Sequence, residues 1–509
     1  MRVVLAYVTP ISWAPMGIGM VAAVLEEEGI EVFPVINNFE NYQDVDELAK
    51  NIIDLEPDLV GISFLTYGVK NNYSMARILK KENILLVAGG NHPTLFPEEC
   101  INNGFDFTII GEGEYTCKEL IKHLRNPGMY PLSNIRGISF RNHDGKIVNN
   151  GISPIIEDLN SLPFPARHCF NKDDFLMPDG DLKGYGAILS SRGCPHKCTF
   201  CSTEAVGSRF RKRSAKNTVD EIELVNKEFG VNTFNFLDDT FSVDRVRVKD
   251  VCNEIIKRGL DIKWNCGCRV TDVQPEILEL QKKSGCFMMN FGIESGDPET
   301  LLKIKKGITI ESALMAVKMT KEAGIKVYAN FMTGFPWETP TQINNTTSMV
   351  HRIHPWADQL SAGNVLVPIP GSKIYDDLKS TYDIENYWLR DDFNDIGMGV
   401  WKNVVNPYKI SNWFQRNMYD DTLVRNDTFF KYSRGQKKAI YRLMRTIGTY
   451  NIKKEYGKSW RTILYLLLGY TSFYLAEIIP SLEIFIVSKF KKSGTNIHRK
   501  FGLGYKKRK

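Results

Sequence analysis

The sequence predicts an α/β protein in which two successive parallel-sheet domains precede a helical C-terminal region. Three observations carry this. Apolar runs of strand length alternate with amphipathic helical patterns over residues 1–125. The same alternation returns over residues 184–380. Beyond residue 381 the strand patterns fade, and residues 412–487 read as helical and rich in aromatic and basic side chains. Parallel strands need crossover connections, usually helices, so strand–helix alternation is their signature.

In the first stretch the expected strands are Val3–Val8, Val32–Ile36, Leu59–Ser63, Leu85–Ala88 and Phe107–Ile110, with helices such as Met20–Glu28 and Val69–Lys80 between them. This predicts a doubly wound, Rossmann-like domain over 1–125, whose ligands sit at the carboxyl ends of its strands. Residues 126–183, richer in Pro, Gly and Asn, read as a connector with a small hairpin, Gly137–Val148, turned at Asp144-Gly145. From 184 to 380 the expected strands are Ala187–Ser190, Thr233–Leu237, Lys263–Asn265, Met288–Ile293, Lys326–Phe331 and Gln359–Asn364. Six such strands predict a partial (β/α)6 TIM-type barrel. A mostly helical domain, 381–488, and a basic tail, 489–509, complete the expected organisation.

The chain has 509 residues and a formal net charge of +6. Residues 489–509 carry nine Lys or Arg and no acid, so the rest is near −3 (6 minus 9). A general polyanion-binding body is thereby disfavoured, no nucleic-acid partner is expected, and any electrostatic partner falls to the tail. Ten cysteines without a secretory signal point to the reducing cytoplasm, where clustered thiols more often serve metals than disulfides.

The chemistry concentrates after the first barrel strand. Ser191-Arg192-Gly193-Cys194-Pro195-His196-Lys197-Cys198-Thr199-Phe200-Cys201 has the spacing C-x3-C-x2-C. Three thiolates can hold three irons of a 4Fe-4S cluster and leave one iron for an outside ligand. The competing reading is a zinc site with His196 as fourth ligand.

The spacing closely resembles that of the radical S-adenosylmethionine (SAM) superfamily. The resemblance implies that Cys194, Cys198 and Cys201 hold a 4Fe-4S cluster whose open iron chelates SAM. An electron then cleaves the sulfonium to a 5′-deoxyadenosyl radical. It further implies SAM contacts from Phe200, from the acidic pair Asp238 and Asp239, from Arg269, from Glu294 and Ser295 in Gly292–Gly296, and from Gly334 in Gly334-Phe335-Pro336. Cys266, Cys268 and Cys286 are expected as buried small residues near the barrel. Arg211 and Arg213 are expected in a solvated basic loop.

Residues 1–125 resemble the cobalamin-binding domain that precedes the barrel in many of these enzymes. The matching pieces are Pro15–Gly19, with Gly17 and Gly19; Gly61-Ile62-Ser63; Gly89-Gly90-Asn91-His92-Pro93-Thr94; and Gly111-Glu112-Gly113-Glu114. They nominate Gly17, Gly19, Ser63, Gly89, Gly90, His92, Gly111 and Glu112 as the cobalamin cradle. The histidine motif D-x-H-x-x-G is absent, so no lower-face histidine ligand to cobalt is expected.

The apolar run Thr462–Ile479, a second run Ile484–Val487 and the basic tail suit attachment to an anionic membrane surface, or else a helical cap with a free tail. The functional expectation is a cobalamin-dependent radical SAM methyltransferase acting on an apolar small molecule, lipid or tetrapyrrole. It would draw electrons from a reductase, flavodoxin or ferredoxin. An oxidative cyclase is the second reading, and a non-catalytic cobalamin- or cluster-bearing binding protein the third.

Overall fold

The computed structural model describes residues 1–11, 14–38, 43–171, 185–203, 207, 209–361, 364–390 and 429–456. The chain forms two compact units, Met1–Met444 and Arg445–Lys509. The described part of the second is the helical stretch 445–456. The apolar runs at 462–487 and the basic tail lie outside the described residues.

The first sheet has the order β2-β1-β3-β4-β5-β6-β7. Its parallel part comprises β1 (Arg2–Ile11), β2 (Glu31–Asn38), β3 (Leu59–Ser63), β4 (Leu85–Gly89) and β5 (Phe107–Ile109). The helices α1 (Met16–Glu27), α2 (Val45–Ile53), α3 (Val69–Lys81), α4 (Asn91–Leu95), α5 (Pro97–Asn102) and α6 (Glu114–Arg125) connect and flank them. β1 is buried almost throughout, as a central parallel strand must be. The strand order reverses between β1 and β3, which makes the carboxyl ends of these strands the crevice for a ligand.

The expected hairpin forms from β6 (Ile138–Arg141) and β7 (Ile147–Asn149). It pairs antiparallel with β5, so this sheet continues past residue 125. The connector then packs on α1. Met20 and Val24 of α1 cluster with Ile156, Leu159 and Leu162 of the connector and with Leu189 at the barrel's entry. A Cβ on Gly19 would lie 3.0 Å from the Pro165 Cβ, so glycine permits that close approach.

The second sheet runs in sequence order: β8 (Ala187–Ile188), β11 (Thr233–Phe236), β12 (Lys263–Cys268), β13 (Cys286–Glu294), β14 (Lys326–Thr333) and β15 (Gln359–Leu360), all parallel. β16 (Asn364–Val365) also pairs with β14. Helices α7 (Ala215–Phe229), α8 (Arg245–Lys257), α9 (Pro275–Lys283), α10 (Pro298–Lys303), α11 (Ile310–Glu322) and α12 (Pro340–Ile353) provide the crossovers. This is the expected partial barrel. Phe236, Phe241 and Trp264 pack together, with ring centroids 4.4–5.5 Å apart, and Arg247 of α8 lies over the Phe241 ring.

Two strands differ from expectation. β8 stops at Ile188 because the Ser190 and Ser191 amides bond to the Asp238 carboxylate instead of to a strand. The sixth expected strand is described as two short pieces, β15 before and β16 after residues 362–363, and the Ser361 hydroxyl bonds the Phe331 amide and carbonyl of β14. The short antiparallel pair β9 (Ser191–Arg192) and β10 (Arg211–Lys212) stands apart from both sheets.

After helix α13 (Lys373–Leu378) the chain crosses to the first domain. There Trp388 is fully buried, and its Nε1–H donates to both carboxylate oxygens of Glu99 at 3.2 Å. Its ring meets Phe96 at 4.6 Å and His92 at 5.6 Å. Among the described residues no helix is long and apolar enough to cross a membrane.

Removing this anchor should be costly. Trp388→Ala leaves a cavity and removes the indole bonds to Glu99, which keeps Tyr73 and His92, with an expected loss of about 3–5 kcal/mol. Urea denaturation followed by circular dichroism reads it directly; a loss near zero would show the anchor to be dispensable.

Candidate active site

Asp238, at the end of β11, is buried and spends all its hydrogen-bonding capacity inside the protein. Oδ1 accepts from the Ser190 and Ser191 amides at 2.7 and 3.1 Å; Oδ2 accepts from Ser190 Oγ at 2.6 Å and from Arg247 Nη2 at 2.7 Å. This turns the chain out of β8 into β9. Gly193 follows at φ +83°, where a Cβ would stand 2.3 Å from the Arg209 carbonyl oxygen. Its amide donates to Asp239 Oδ2 at 3.0 Å. The expected acidic pair therefore splits: Asp238 is a structural pin, whereas Asp239 remains exposed at the strand end.

The loop beyond carries Cys194, Cys198 and Cys201, each half-buried and in no disulfide. Thr199 anchors it through backbone bonds to Ile304 and Ile374. Arg269, after β12, places Nη1 3.7 Å from Cys198 Sγ, and its Nη2 donates to the Lys306 carbonyl. The Lys306 ammonium, nearly buried, pairs with Glu294 Oε1 at 2.8 Å and stands 5.7 Å over the Phe200 ring. Glu294 holds φ +66°, a conformation that non-glycine residues adopt at a cost and that clusters at functional sites. Gly292 makes room for it: a Cβ there would lie 2.4 Å from Glu294 Oε1. Ser295 is buried instead on Thr346 Oγ1 and the Asp297 amide.

The Gly334 turn after β14 is clamped from below. Glu338 Oε2 accepts from Thr333 Oγ1 and from the Gly334 and Phe335 amides, and Tyr432 donates to the Gly334 carbonyl at 2.7 Å. Cys266, Cys268 and Cys286 are buried as expected, and burial and mutual contact push their thiols up.

In the first domain, Ser63, Gly89 and Gly90 come together at the carboxyl ends of β3 and β4, and Gly17 lies in the first turn of α1. Gly89 faces open space, and Gly90 takes φ +97° with the Phe64 carbonyl 2.9 Å from where a Cβ would stand. Gly19, as described, faces the connector, and Gly111 faces Ser153 and Ile152. His92 is fully buried. Its Nδ1 meets Thr66 Oγ1 at 3.2 Å, its Nε2 meets Glu99 Oε1 at 3.1 Å, and burial holds its pKa low despite Glu99. It is a core residue rather than a cofactor contact. Glu112 is engaged by Arg192 and Arg211. Burial alone would raise its pKa; the Arg211 hydrogen bonds and the Arg192 charge hold it below the usual carboxylate range. Arg211 and Arg213 are buried ion-pair partners of Glu112 and Glu221, which corrects the expectation of a solvated loop.

These residues fit the implied groups. Among the described residues, the group whose ligand atoms lie within 4.8 Å of one another is Glu26, His168 and Cys169; the three motif thiols do not draw that close. A single tetrahedral ion, with sulfurs about 2.3 Å from the metal, therefore suits them poorly. A multi-iron cluster, which spreads its thiolates, suits them well. His196 Nε2 is buried without a partner among the described residues, the mark of a site completed by a bound group. In the first domain, Thr9 Oγ1 and Asn72 Oδ1 are likewise buried and unpaired beside the Gly68 turn, which suits a ligand bearing amide side chains.

Arg192, Arg247, Lys306 and Glu338 escape the sequence reading. Lys306 had a weak signal in Lys305-Lys306-Gly307, and Glu338 in its place two residues after Pro336.

Comparison with known proteins agrees with this geometry. Residues 188–350 match the radical SAM superfamily, and residues 2–121 match the B12 binding domain. An uncharacterized methyltransferase, PH0819 of Pyrococcus horikoshii, is 31% identical over 367 residues, covering 71% of this chain and 78% of that protein. The anaerobic magnesium-protoporphyrin IX monomethyl ester cyclase of Rubrivivax gelatinosus is 27% identical, covering 74% and 69%. In fold, the chain is similar to the cobalamin-dependent SAM radical enzyme OxsB with aqua-cobalamin and SAM bound, at TM-score 0.67 and 16% identity over 94% of this chain and 81% of that one.

Glu338 gives a pH test of the Gly334 clamp. Burial pushes its carboxyl up from 4.5 to about 7, despite the bonds to Oε2, and Oε1 is buried without a partner among the described residues. The folded state thus holds a proton that the unfolded state releases between about pH 4.5 and pH 7, so stability falls as pH rises through that window. In Glu338→Gln this part of the decline should vanish, as read from urea midpoints at about pH 5 and pH 8; an unchanged slope would place the proton elsewhere.

Proposed function

The chain is a cobalamin-binding member of the radical SAM superfamily, and on that footing we propose that it methylates an unactivated carbon of an apolar small molecule. The observation that carries the reading is the union in one compact unit of a three-thiol loop and a strand-end cradle with unpaired polar atoms. A 4Fe-4S cluster, SAM and cobalamin are its cofactors; together they supply reductive cleavage of a sulfonium and a carrier for a methyl group.

The chain's own residues do the rest. Cys194, Cys198 and Cys201 are the cluster ligands. Arg269, beside the Cys198 sulfur, sets positive charge against the anionic thiolates, which favours the reduced cluster. Asp239, Glu294 and the Gly334 turn line the same strand ends and serve to orient SAM. Gly17, Ser63, Gly89 and Gly90 border the cobalamin cradle. With His92 committed to Thr66 and Glu99, no histidine from that segment reaches cobalt.

The substrate classes that fit are lipids and tetrapyrroles, with a flavodoxin or ferredoxin-type donor supplying electrons and the C-terminal region meeting an anionic membrane surface. The cyclase of Rubrivivax gelatinosus, similar over 74% of this chain, keeps ring formation as the second reading.

Anaerobically reconstituted protein should bind cobalamin and cleave SAM to 5′-deoxyadenosine when reduced. Cys198→Ala should abolish cleavage while cobalamin stays bound. Offered a lipid or tetrapyrrole extract, the wild type should yield a product heavier by one CH2; a product lighter by hydrogen would favour the cyclase reading, and an intact cluster without cobalamin would overturn methyl transfer. Arg269→Leu should lower the cluster's midpoint potential, as read by electron paramagnetic resonance during a redox titration.

A further inference from the structure

One carboxylate of the cobalamin-binding domain grips both ends of the segment that carries the cluster cysteines. Glu112, in the turn after β5, accepts at Oε1 from Arg192 Nη1 (3.0 Å) and from Arg211 Nη2 (2.8 Å). Its Oε2 accepts from Arg211 Nη1 and from the Ile156 amide, both at 2.8 Å. Arg211 Nη1 also donates to the Ile156 carbonyl at 2.7 Å. Arg192 Nη2 pairs with Glu114 at the start of α6 and contacts Met20 Sδ at 3.1 Å. Two acids from one domain thus neutralise two arginines from the other, with Arg211 and Glu114 almost fully buried.

The placement of the arginines matters more than their number. Arg192 precedes Cys194 by two residues; Arg211 follows Cys201 by ten. They pair directly across β9 and β10, so the three cysteines lie between them in sequence. From the barrel side the same entry strand is pinned by Asp238 and Asp239. A buried ion pair is weak evidence of stability, since apolar replacements often serve as well; its attested use is to fix register. Apolar contacts already join the connector to α1.

We infer that Glu112 is a positioning residue: through Arg192 and Arg211 it locks the cluster loop to the cobalamin-binding domain and thereby sets the separation of the two cofactors. The inference rests on the reading that one chain holds both. Such control has kinetic weight, because a misplacement of about 1 Å between reacting groups can cost about 10²-fold in rate.

The test uses the holoenzyme with a reduced cluster and cob(II)alamin, both paramagnetic, and measures their dipolar coupling by pulsed electron paramagnetic resonance. Wild type should give one narrow distance. Glu112→Gln should lose that single distance while iron and cobalamin contents stay at wild-type levels. Arg211→Lys, which keeps the charge but loses the paired bonds, should fall between the two, and it reads the same lock if Glu112→Gln does not fold. An unchanged narrow distance in either variant, even with a lowered melting temperature, would reduce Glu112 to a structural role and overturn the inference. Loss of cobalamin alone from Glu112→Gln would make it a cofactor contact and also overturn it. Wild type that binds a cluster but no cobalamin would overturn the functional reading itself, and this inference with it.

Discussion

The strand β9 is two residues long, and the geometry of the site depends on how it is held. A carboxylate grips it from each side: Asp238 of the barrel takes the Ser190 and Ser191 amides, and Glu112 of the first domain takes Arg192. Neither group faces bulk water freely, so their charge-assisted bonds act at a lower effective dielectric than surface pairs do. Together they fix where the chain leaves β8 and where Cys194 begins. The Gly193 turn is then forced, since its Cβ position is occupied by the Arg209 carbonyl. Everything that follows in the loop inherits this starting point.

The neighbouring polar groups are held on the same principle. Lys306 and Glu294 neutralise each other at low exposure, and the pair is aimed by a glycine at 292 and by the left-handed backbone of Glu294 itself. Glu338 holds the Gly334 turn from beneath, while Tyr432 reaches it from far along the chain. The strand ends thus carry a preorganised polar rim around the thiols. Preorganisation of this kind is how a protein shapes the chemistry of a cofactor without taking part in its bond changes.

Much of this was legible in the sequence. Apolar runs located the parallel strands because buried parallel strands are continuously apolar. The cysteine spacing marked the cluster loop because thiolate ligands carry their own signature. Other features lay beyond a linear reading. Glu112 and Asp238 looked like cofactor contacts because acids beside glycines at strand ends invite that reading. Their actual partners lie 80 and 48 residues away, at Arg192 and Ser190. His92 sat in a promising glycine-rich stretch, yet Trp388, from nearly 300 positions later, helps to bury it. Arg211 and Arg213 looked solvated because a run of basic residues usually is, until Glu112 and Glu221 arrive from elsewhere. Long-range ion pairs leave no periodicity, and only the folded chain reveals them.

We propose that three cysteines hold a cluster and leave one iron for SAM. Electron–nuclear double resonance on the reduced cluster, with SAM labelled at its amino nitrogen and carboxylate carbon, tests it directly. Wild type should show hyperfine coupling to both labels. A fully loaded, reduced cluster that shows no coupling to bound, labelled SAM would contradict it.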